Sequence, residues 1–245
     1  MKTKKVIITG VSGGIGKGLA KVFQEDGYHV VGLDKTPTRS KFVNDFIAID
    51  LNQYCLNHGY RRELNFLLIE SHADTHVLIN NAAVQKLDHL EHITIQDWTE
   101  SFNVNVTAAM LLSQLMANIL TLNSGSIINI GSIHQDQTKP AFISYATTKA
   151  ALVGLTKALS VDLKGQVRVN CISPAAVKTN MLLQGFGNDN SKINELQSIH
   201  PLGRIGKAEE VGELALFLAG EKARFIHGAN IQLDGGISNV LKDLD

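Results

Sequence analysis

Cysteine is almost missing from this sequence: Cys55 and Cys171 stand alone in unrelated segments, with no C-x-x-C spacing. A disulfide framework or a thiolate zinc site has nothing to stand on, and both residues are expected as reduced thiols. Proline is scarce too. Pro37, Pro140, Pro174 and Pro201 all fall between predicted elements, and no Pro-rich or Gly/Ser-rich stretch marks a linker, so residues 1–245 read as one domain. Neither sign of charge is in surplus, with 23 Lys plus Arg against 23 Asp plus Glu. Lacking an overall positive field, the chain is not expected to take nucleic acid as its partner. No run reaches 18 uninterrupted apolar residues; the richest, Ala108 to Leu120, is interrupted by Ser113, Gln114 and Asn118 and suits a buried helix. The apolar run near the start, Val6 to Ile8, is too short for a signal-peptide core. These absences lead to the expectation of a soluble, cytoplasmic protein with no membrane partner.

What is present is the material of a large core: 44% hydrophobic residues before 21 glycines are counted. Short β-branched runs (Val6 to Thr9, Tyr28 to Asp34, Phe46 to Asp50, His76 to Asn80, Ser126 to Ile130, Val167 to Ile172 and Asn230 to Leu233) alternate with helix-period stretches. The helical patterns are Ile15 to Glu25, Glu63 to Glu70, Ile95 to Leu120, Tyr145 to Leu163 and Ala208 to Leu218. This alternation predicts an α/β fold, a Rossmann-type doubly wound parallel sheet of about seven strands with helices on both faces. Thr94 with Asp97 predicts a helix start of the capping-box kind, with Asp in place of Glu. Only Lys35 to Ile49 separate Asp34 from Asp50, so the crossover there is expected to have little or no helix.

Three local patterns carry chemistry. The turn Thr9-Gly10-Val11-Ser12-Gly13-Gly14-Ile15-Gly16 follows the first strand and opens the first helix. Its glycines let the backbone approach a pyrophosphate, and the helix start offers free N–H groups. Asp34, roughly 20 residues on at the end of the next strand, can accept hydrogen bonds from an adenosine ribose. Tyr145 and Lys149 stand four apart on one helix face, where an ammonium favours the phenolate and is expected to move the phenol pKa down. Ser132, at the end of the strand Ile127 to Ile130, falls at the carboxyl edge of the sheet with a hydroxyl to offer. His134 and Gln135 follow it directly and are read as polar substrate contacts alongside Ser132 and Tyr145. His72-x-x-x-His76 and His89-x-x-His92 have metal-like spacing without a carboxylate or thiol cluster, and no metal is expected. Met181 to His200 suits a mobile lid.

Taken together, Thr9-Gly10-x-x-x-Gly14-x-Gly16, Asp50, Asn80-Asn81-Ala82-Ala83, Asn105, Ser132, Tyr145-x-x-x-Lys149 and the segment Pro174 to Thr179 resemble the short-chain dehydrogenase/reductase family over essentially the whole chain. The resemblance implies an oxidoreductase that interconverts a secondary alcohol and a ketone with NAD. Tyr145 would be the acid or base, Ser132 would position the reacting oxygen, Lys149 would hold the nicotinamide ribose and lower the Tyr145 pKa, and Asn105 would support a water leading to Lys149. Cofactor contacts carried over are Gly10, Ser12, Gly14, Ile15, Gly16, Asp34, Asp50, Leu51, Asn81, Ala82, Tyr145, Lys149, Val177 and Thr179, with Asp50 toward the adenine and Val177 and Thr179 toward the carboxamide. Two departures fall near the nicotinamide, where Ala83 and Ala175 stand in place of the family's glycines. The family also pairs two long helices across a two-fold axis, here Ile95 to Leu120 and Tyr145 to Leu163, which implies a homotetramer. Two alternatives remain open at this point: a catalytically silent dinucleotide-sensing regulator, and a ketoreductase of acyl-carrier substrates using a basic entrance near Lys139, Lys178, Lys192 and Arg204.

Overall fold

Strands that are apolar on both faces must be covered on both faces, and this requirement organises the molecule. The structure, a computed structural model, describes residues 3–179, 182, 186–187 and 189–241. Strands β1 (Lys5–Thr9), β2 (His29–Asp34), β3 (Asp45–Ala48), β4 (Thr75–Asn80), β5 (Ser126–Ile130), β6 (Arg168–Pro174) and β7 (Asn230–Leu233) form one sheet. Its order is β3-β2-β1-β4-β5-β6-β7, with every adjacent pair parallel.

Alternate residues of each strand feed two cores. Val6, Ile8, Ile79 and Ile128 pack with Leu19 and Phe23 of α1 (Gly14–Glu25) and with Val211, Ala215 and Leu218 of the last long helix, Ala208–Ala219. Ile7, Leu33, Leu78 and Ile127 pack on the other side, against helices between β3 and β6. α1 and the helix Ala208–Ala219 approach closely because Gly18 and Gly212 face each other's neighbours. A Cβ on Gly18 would meet the Ala208 backbone, and one on Gly212 the Val22 side chain.

Two predicted helices change in the structure. The pattern Glu63 to Glu70 is the middle of a longer run: α2 (Leu51–Leu56) and α3 (His58–His72) follow each other, capped by Asp50 and Asn57. The beginning was hidden because α3 buries only Leu64, Leu68 and His72, too few to mark a period along its length. The pattern Ile95 to Leu120 is split into α4 (Ile95–Phe102), a π turn (Asn103–Thr107) and α5 (Ala108–Leu122). Taken as one rod, Ile95–Leu122 is long and apolar enough to cross a bilayer by length and composition. Its buried stripe Ala108, Leu112, Met116 and Leu120 belongs to the core on the sheet.

Thr94 caps α4 as predicted, its hydroxyl oxygen accepting from the Asp97 N–H at 3.1 Å. The Asp97 carboxylate does not reach back to the Thr94 backbone; it accepts from the Thr94 hydroxyl and pairs with Lys86. β3 ends at Ala48 because Asp50 leaves the sheet to cap α2. The link from β2 to β3 contains no helix, its return fixed by the Val30 N–H on Asn44 Oδ1 at 2.8 Å. After β6 come α6's successors, α7 (Asn190–Ser198) and α8 (Ala208–Ala219), α6 itself being Ile143–Asp162. The order reverses between β1 and β4, so their connections diverge to opposite faces and leave a crevice beyond the strands' carboxyl ends.

Candidate active site

The glycine turn forms one wall of that crevice. Gly10 sits at φ +67°, a left-handed conformation, and a Cβ there would press on Ala82 Cα. Cβ atoms on Gly14 and Gly16 would overlap the Thr179 side chain and the Gly10 carbonyl oxygen. Gly13, the N-cap of α1, provides no side-chain cap, so the helix start keeps N–H groups for a ligand. Because the obstacle at Gly16 is backbone, Gly16→Ala should weaken dinucleotide binding on the order of tenfold or more. Fluorescence titration with NADH, alongside a melting curve, would show it.

The crevice opens into a cavity of about 250 Å³. Of the predicted cofactor residues, Gly10, Gly14, Ile15, Gly16, Asp34, Asp50, Leu51, Asn81, Ala82, Tyr145, Lys149 and Thr179 line it. Ser12 and Val177 are not among its lining residues. The Ser12 hydroxyl is spent on the Thr36 carbonyl at 2.6 Å, and Val177 is buried in the core, bridged to Gly206. Several lining residues were not anticipated, among them Val84, Gln85, Glu100 and Val104. Gln85 was within reach of sequence reasoning, as it follows the Asn81 to Ala83 segment at the end of β4.

Three of the polar residues also hold the crevice together. Asp34 Oδ2 accepts from the Ser12 N–H at 3.0 Å and Oδ1 from the Thr36 N–H at 2.9 Å, pinning the glycine turn to β2. Asn81 Nδ2 donates to the carbonyls of Thr9 and Gly10 at 2.9 and 3.1 Å, pinning the same turn to β4. Asp50 Oδ1 caps α2 through the Asn52 and Gln53 N–H groups, and no hydrogen bond occupies its Oδ2 among the described residues.

At the far end, Ser132 leaves β5 and caps a short 3-10 turn, its Oγ accepting from the His134 N–H at 3.2 Å. Tyr145 lies in the first turn of α6 with Lys149 one turn later. Lys149 is buried, and its Nζ donates to the Ile130 carbonyl at 2.7 Å while standing 5.6 Å from the Tyr145 ring centre. Burial pushes the ammonium down to about 8, opposed by neighbouring Cys171. Burial likewise pushes the Tyr145 phenol up, with the Ser132 hydroxyl pulling it back. No hydrogen bond of ordinary geometry joins those two oxygens in the free protein, which is common before a substrate brings such groups together. The predicted lowering of the Tyr145 pKa is thus corrected for the ligand-free site: desolvation outweighs the Ser132 hydroxyl, and the Lys149 Nζ is turned toward Ile130.

Asn105 sits in the π turn, a widening of the helix often found at functional sites. Its Oδ1 accepts from the Val84 N–H at 2.8 Å, and its Nδ2 donates to the Val84 carbonyl at 3.0 Å and Thr148 Oγ1 at 2.9 Å. The side chain therefore clamps the cleft-lining segment after β4 to α6 beside Lys149.

His134 stacks on Phe142 (centres 4.4 Å apart) with its ring edge-on to Tyr145 at 6.0 Å. Lys139 covers Phe142 at 4.6 Å. Burial, and then Lys139, push the imidazole below its usual value, so it is neutral at pH 7. Gln135 is half-buried, its Nε2 on Asp136. Of the predicted lid, α7 and the flanking Asp189, Ile199 and His200 are described together with Leu182, Phe186 and Gly187; the rest lies outside the described residues. Among the described residues no three His, Cys, Asp or Glu side chains gather as metal ligands. His72 lies buried with its Nδ1 3.2 Å from Lys5 Nζ.

The family model described as enoyl-(acyl carrier protein) reductase matches residues 10–238. A curated relative, 3-oxoacyl-[acyl-carrier-protein] reductase of Chlamydia pneumoniae, is 31% identical over 96% of this chain and 97% of its own length. The chain belongs to the short-chain dehydrogenase/reductase family. It is an oxidoreductase of that family, with the family's seven-stranded parallel sheet. The ligand-free aldohexose dehydrogenase of Thermoplasma acidophilum superposes with a TM-score of 0.92 at 28% identity, covering 99% of this chain and 97% of that one. 4-Hydroxyisoleucine dehydrogenase complexed with NADH scores 0.88 at 27% identity (98% and 100% covered), and ElxO with NADP bound scores 0.86 at 27% (97% and 100%). The cofactor class shared by the last two is a nicotinamide dinucleotide.

Proposed function

We propose that residues 1–245 form a single catalytic domain that interconverts a secondary alcohol and a ketone with NAD(H), Tyr145 moving the substrate proton. The observation that carries this reading is the meeting of Tyr145 and Lys149 of α6 with the end of β5 at one end of a glycine-walled cavity. The glycine turn fits a dinucleotide: without side chains Gly14 and Gly16 let Thr179 and the Gly10 carbonyl close tightly on the start of α1, which is left uncapped. Gly10, Gly14, Ile15 and Gly16 would hold the pyrophosphate, Asp34 the adenosine ribose, Asp50, Leu51, Asn81 and Ala82 the adenosine side, and Lys149 the nicotinamide ribose. Ser12 would act through Asp34, which its N–H already holds, Val177 would offer main-chain atoms, and Thr179 would hold the carboxamide. The bound nicotinamide supplies or accepts the hydride.

Ser132 Oγ donates to the substrate oxygen and orients it toward Tyr145 Oη. In ketone reduction the neutral phenol, favoured by burial, gives its proton to that oxygen. In alcohol oxidation the phenolate takes it, stabilised by the Lys149 ammonium. His134 and Gln135 form the polar side of the substrate space. A screen of alcohols with NAD and ketones with NADH, read by absorbance of reduced cofactor, tests the reading; silence across sugars, hydroxy acids, cyclic alcohols and a 3-oxoacyl thioester would overturn it. Turnover confined to the thioester would favour the acyl-carrier reading that the Chlamydia relative's name supports. The sensing-regulator reading asks for none of the geometry around Tyr145.

Asp34 supports NAD over NADP, since its carboxylate would face a 2′-phosphate of like charge. Lys35 beside it limits the preference. The expected result is a higher kcat/KM with NAD on one substrate, and a narrower gap in Asp34→Ala. Because that variant also releases the Ser12 and Thr36 N–H groups, the ratio between cofactors is the readout. A homotetramer in the cytoplasm is expected: exposed Ala150 and half-buried Ala151 let α6 approach a partner helix across a two-fold axis, whereas Ala108 and Ala109 are buried in the chain's own core. Exposed Ile95, Leu122 and Val161 near the ends of α4, α5 and α6 support it. Light scattering at micromolar concentration should give four times the chain mass, and a monomer would reject it.

A further inference from the structure

A second concavity, about 380 Å³, lies on the other side of the glycine turn and shares only Gly14 with the dinucleotide cavity. Lys17 and Lys21 of α1, Lys178 after β6 and Lys207 before α8 all line it, with Ser40, Phe42 and a single carboxylate, Glu209. Glu209 is paired with Lys21 at 3.4 Å. Lys17, Lys178 and Lys207 enter no ion pair among the described residues. The nearby Glu210 is already neutralised by Arg204 at 2.9 Å and accepts from the Lys207 N–H. In a chain with no net charge, four ammonium groups against one carboxylate around one hollow are a local imbalance. Like charges brought together by three separate stretches of chain repel one another, and an anion seated between them relieves that repulsion. Gly14 and Ala208, at the starts of α1 and α8, also border the hollow, so two helix dipoles add to the positive potential. Ser40 contributes a hydroxyl.

We infer that this lysine-lined hollow is an anion site, separate from the dinucleotide cavity, for a phosphate group that is either free or carried on a small organic molecule. Compact ammonium groups on flexible stems suit a phosphate as point charges, closing on it from several directions. The site stands whether or not the dehydrogenase reading holds.

The test is a calorimetric titration of the full chain with inorganic phosphate at an ionic strength held constant with chloride, with and without saturating NADH. The expected result is saturable binding of one phosphate per chain, with an affinity that NADH changes by less than about twofold. The double variant Lys17→Gln/Lys207→Gln should bind at least about tenfold more weakly while melting like the parent, since both side chains are exposed. Lys178→Glu, which reverses one charge in the hollow, should abolish binding independently. A parallel titration with glycerol 3-phosphate identifies the source: tighter binding than phosphate assigns the site to a phosphomonoester, equal or weaker binding to free phosphate. Absence of saturable heat, unchanged affinity in both variants, or competitive displacement by NADH would overturn the inference. Failure of NADH to bind would count against the dehydrogenase reading and leave the phosphate isotherm untouched.

Discussion

Tyr145→Phe should lower kcat by about 10² to 10⁴, the usual contribution of a positioned acid or base, or roughly 3 to 5 kcal/mol of barrier. NADH affinity should stay within about twofold, because the phenyl ring keeps its edge contacts with His134 and Phe142. The pH dependence carries the more specific signature. In the free protein burial holds the phenol above its ordinary value, so at neutral pH it is protonated and ready to act as an acid. Alcohol oxidation needs the phenolate, so its rate should climb as pH rises above neutrality, the climb flattening above about pH 8 as the Lys149 ammonium that stabilises the phenolate is lost. In Tyr145→Phe that climb should vanish, leaving a low and nearly flat profile. Steady-state rates in both directions from pH 6 to 10 provide the comparison. Retention of more than a tenth of the parent rate in the Phe variant would remove Tyr145 from its role.

Lys149→Met should damage the enzyme and strengthen the fold. Turnover is expected to fall by about 10² or more, with NADH binding weakened by roughly tenfold, since the ammonium is assigned both the ribose and the phenolate. Stability runs the other way. The ammonium is buried and its pKa falls from 10.5 to about 8, so between those values the unfolded chain binds the proton that the folded chain has released. Stability therefore rises with pH across that window, and the full penalty for the buried charge is present below about pH 8. A shift of this size corresponds to roughly 3 kcal/mol, of which about 1 is offset in the variant by leaving the Ile130 carbonyl without its donor. In ligand-free protein at pH 7, Lys149→Met should thus be more stable by about 2 kcal/mol, and the advantage should disappear by about pH 10.5. Urea unfolding of both proteins at pH 7 and 10 would measure it. A parent more stable than the variant at pH 7 would mean that the ammonium is stabilised in place rather than held there against desolvation.

The sequence by itself determined the features that depend on neighbours along the chain. Alternating apolar runs and helix periods follow from side-chain geometry within each element, and they give the parallel sheet with its helices on both faces. The glycines of the first turn and the pair Tyr145 and Lys149 are legible for the same reason: a tight turn and a four-residue helical spacing are local facts. The tertiary structure decided everything that requires distant segments to meet. It brought Ser132 from the end of β5 to Tyr145, and it gave Asp34 and Asn81 a second task, fastening the glycine turn from two strands. It widened the helix at Asn105 into a π turn so that one side chain could bind both Val84 and Thr148. It also reversed the expected direction of the Tyr145 shift, because desolvation is set by everything packed around a group, whereas the spacing of two residues reveals only one of its neighbours. The lysine-lined hollow belongs to this second kind, its four charges arriving from α1, from the chain after β6 and from the start of α8.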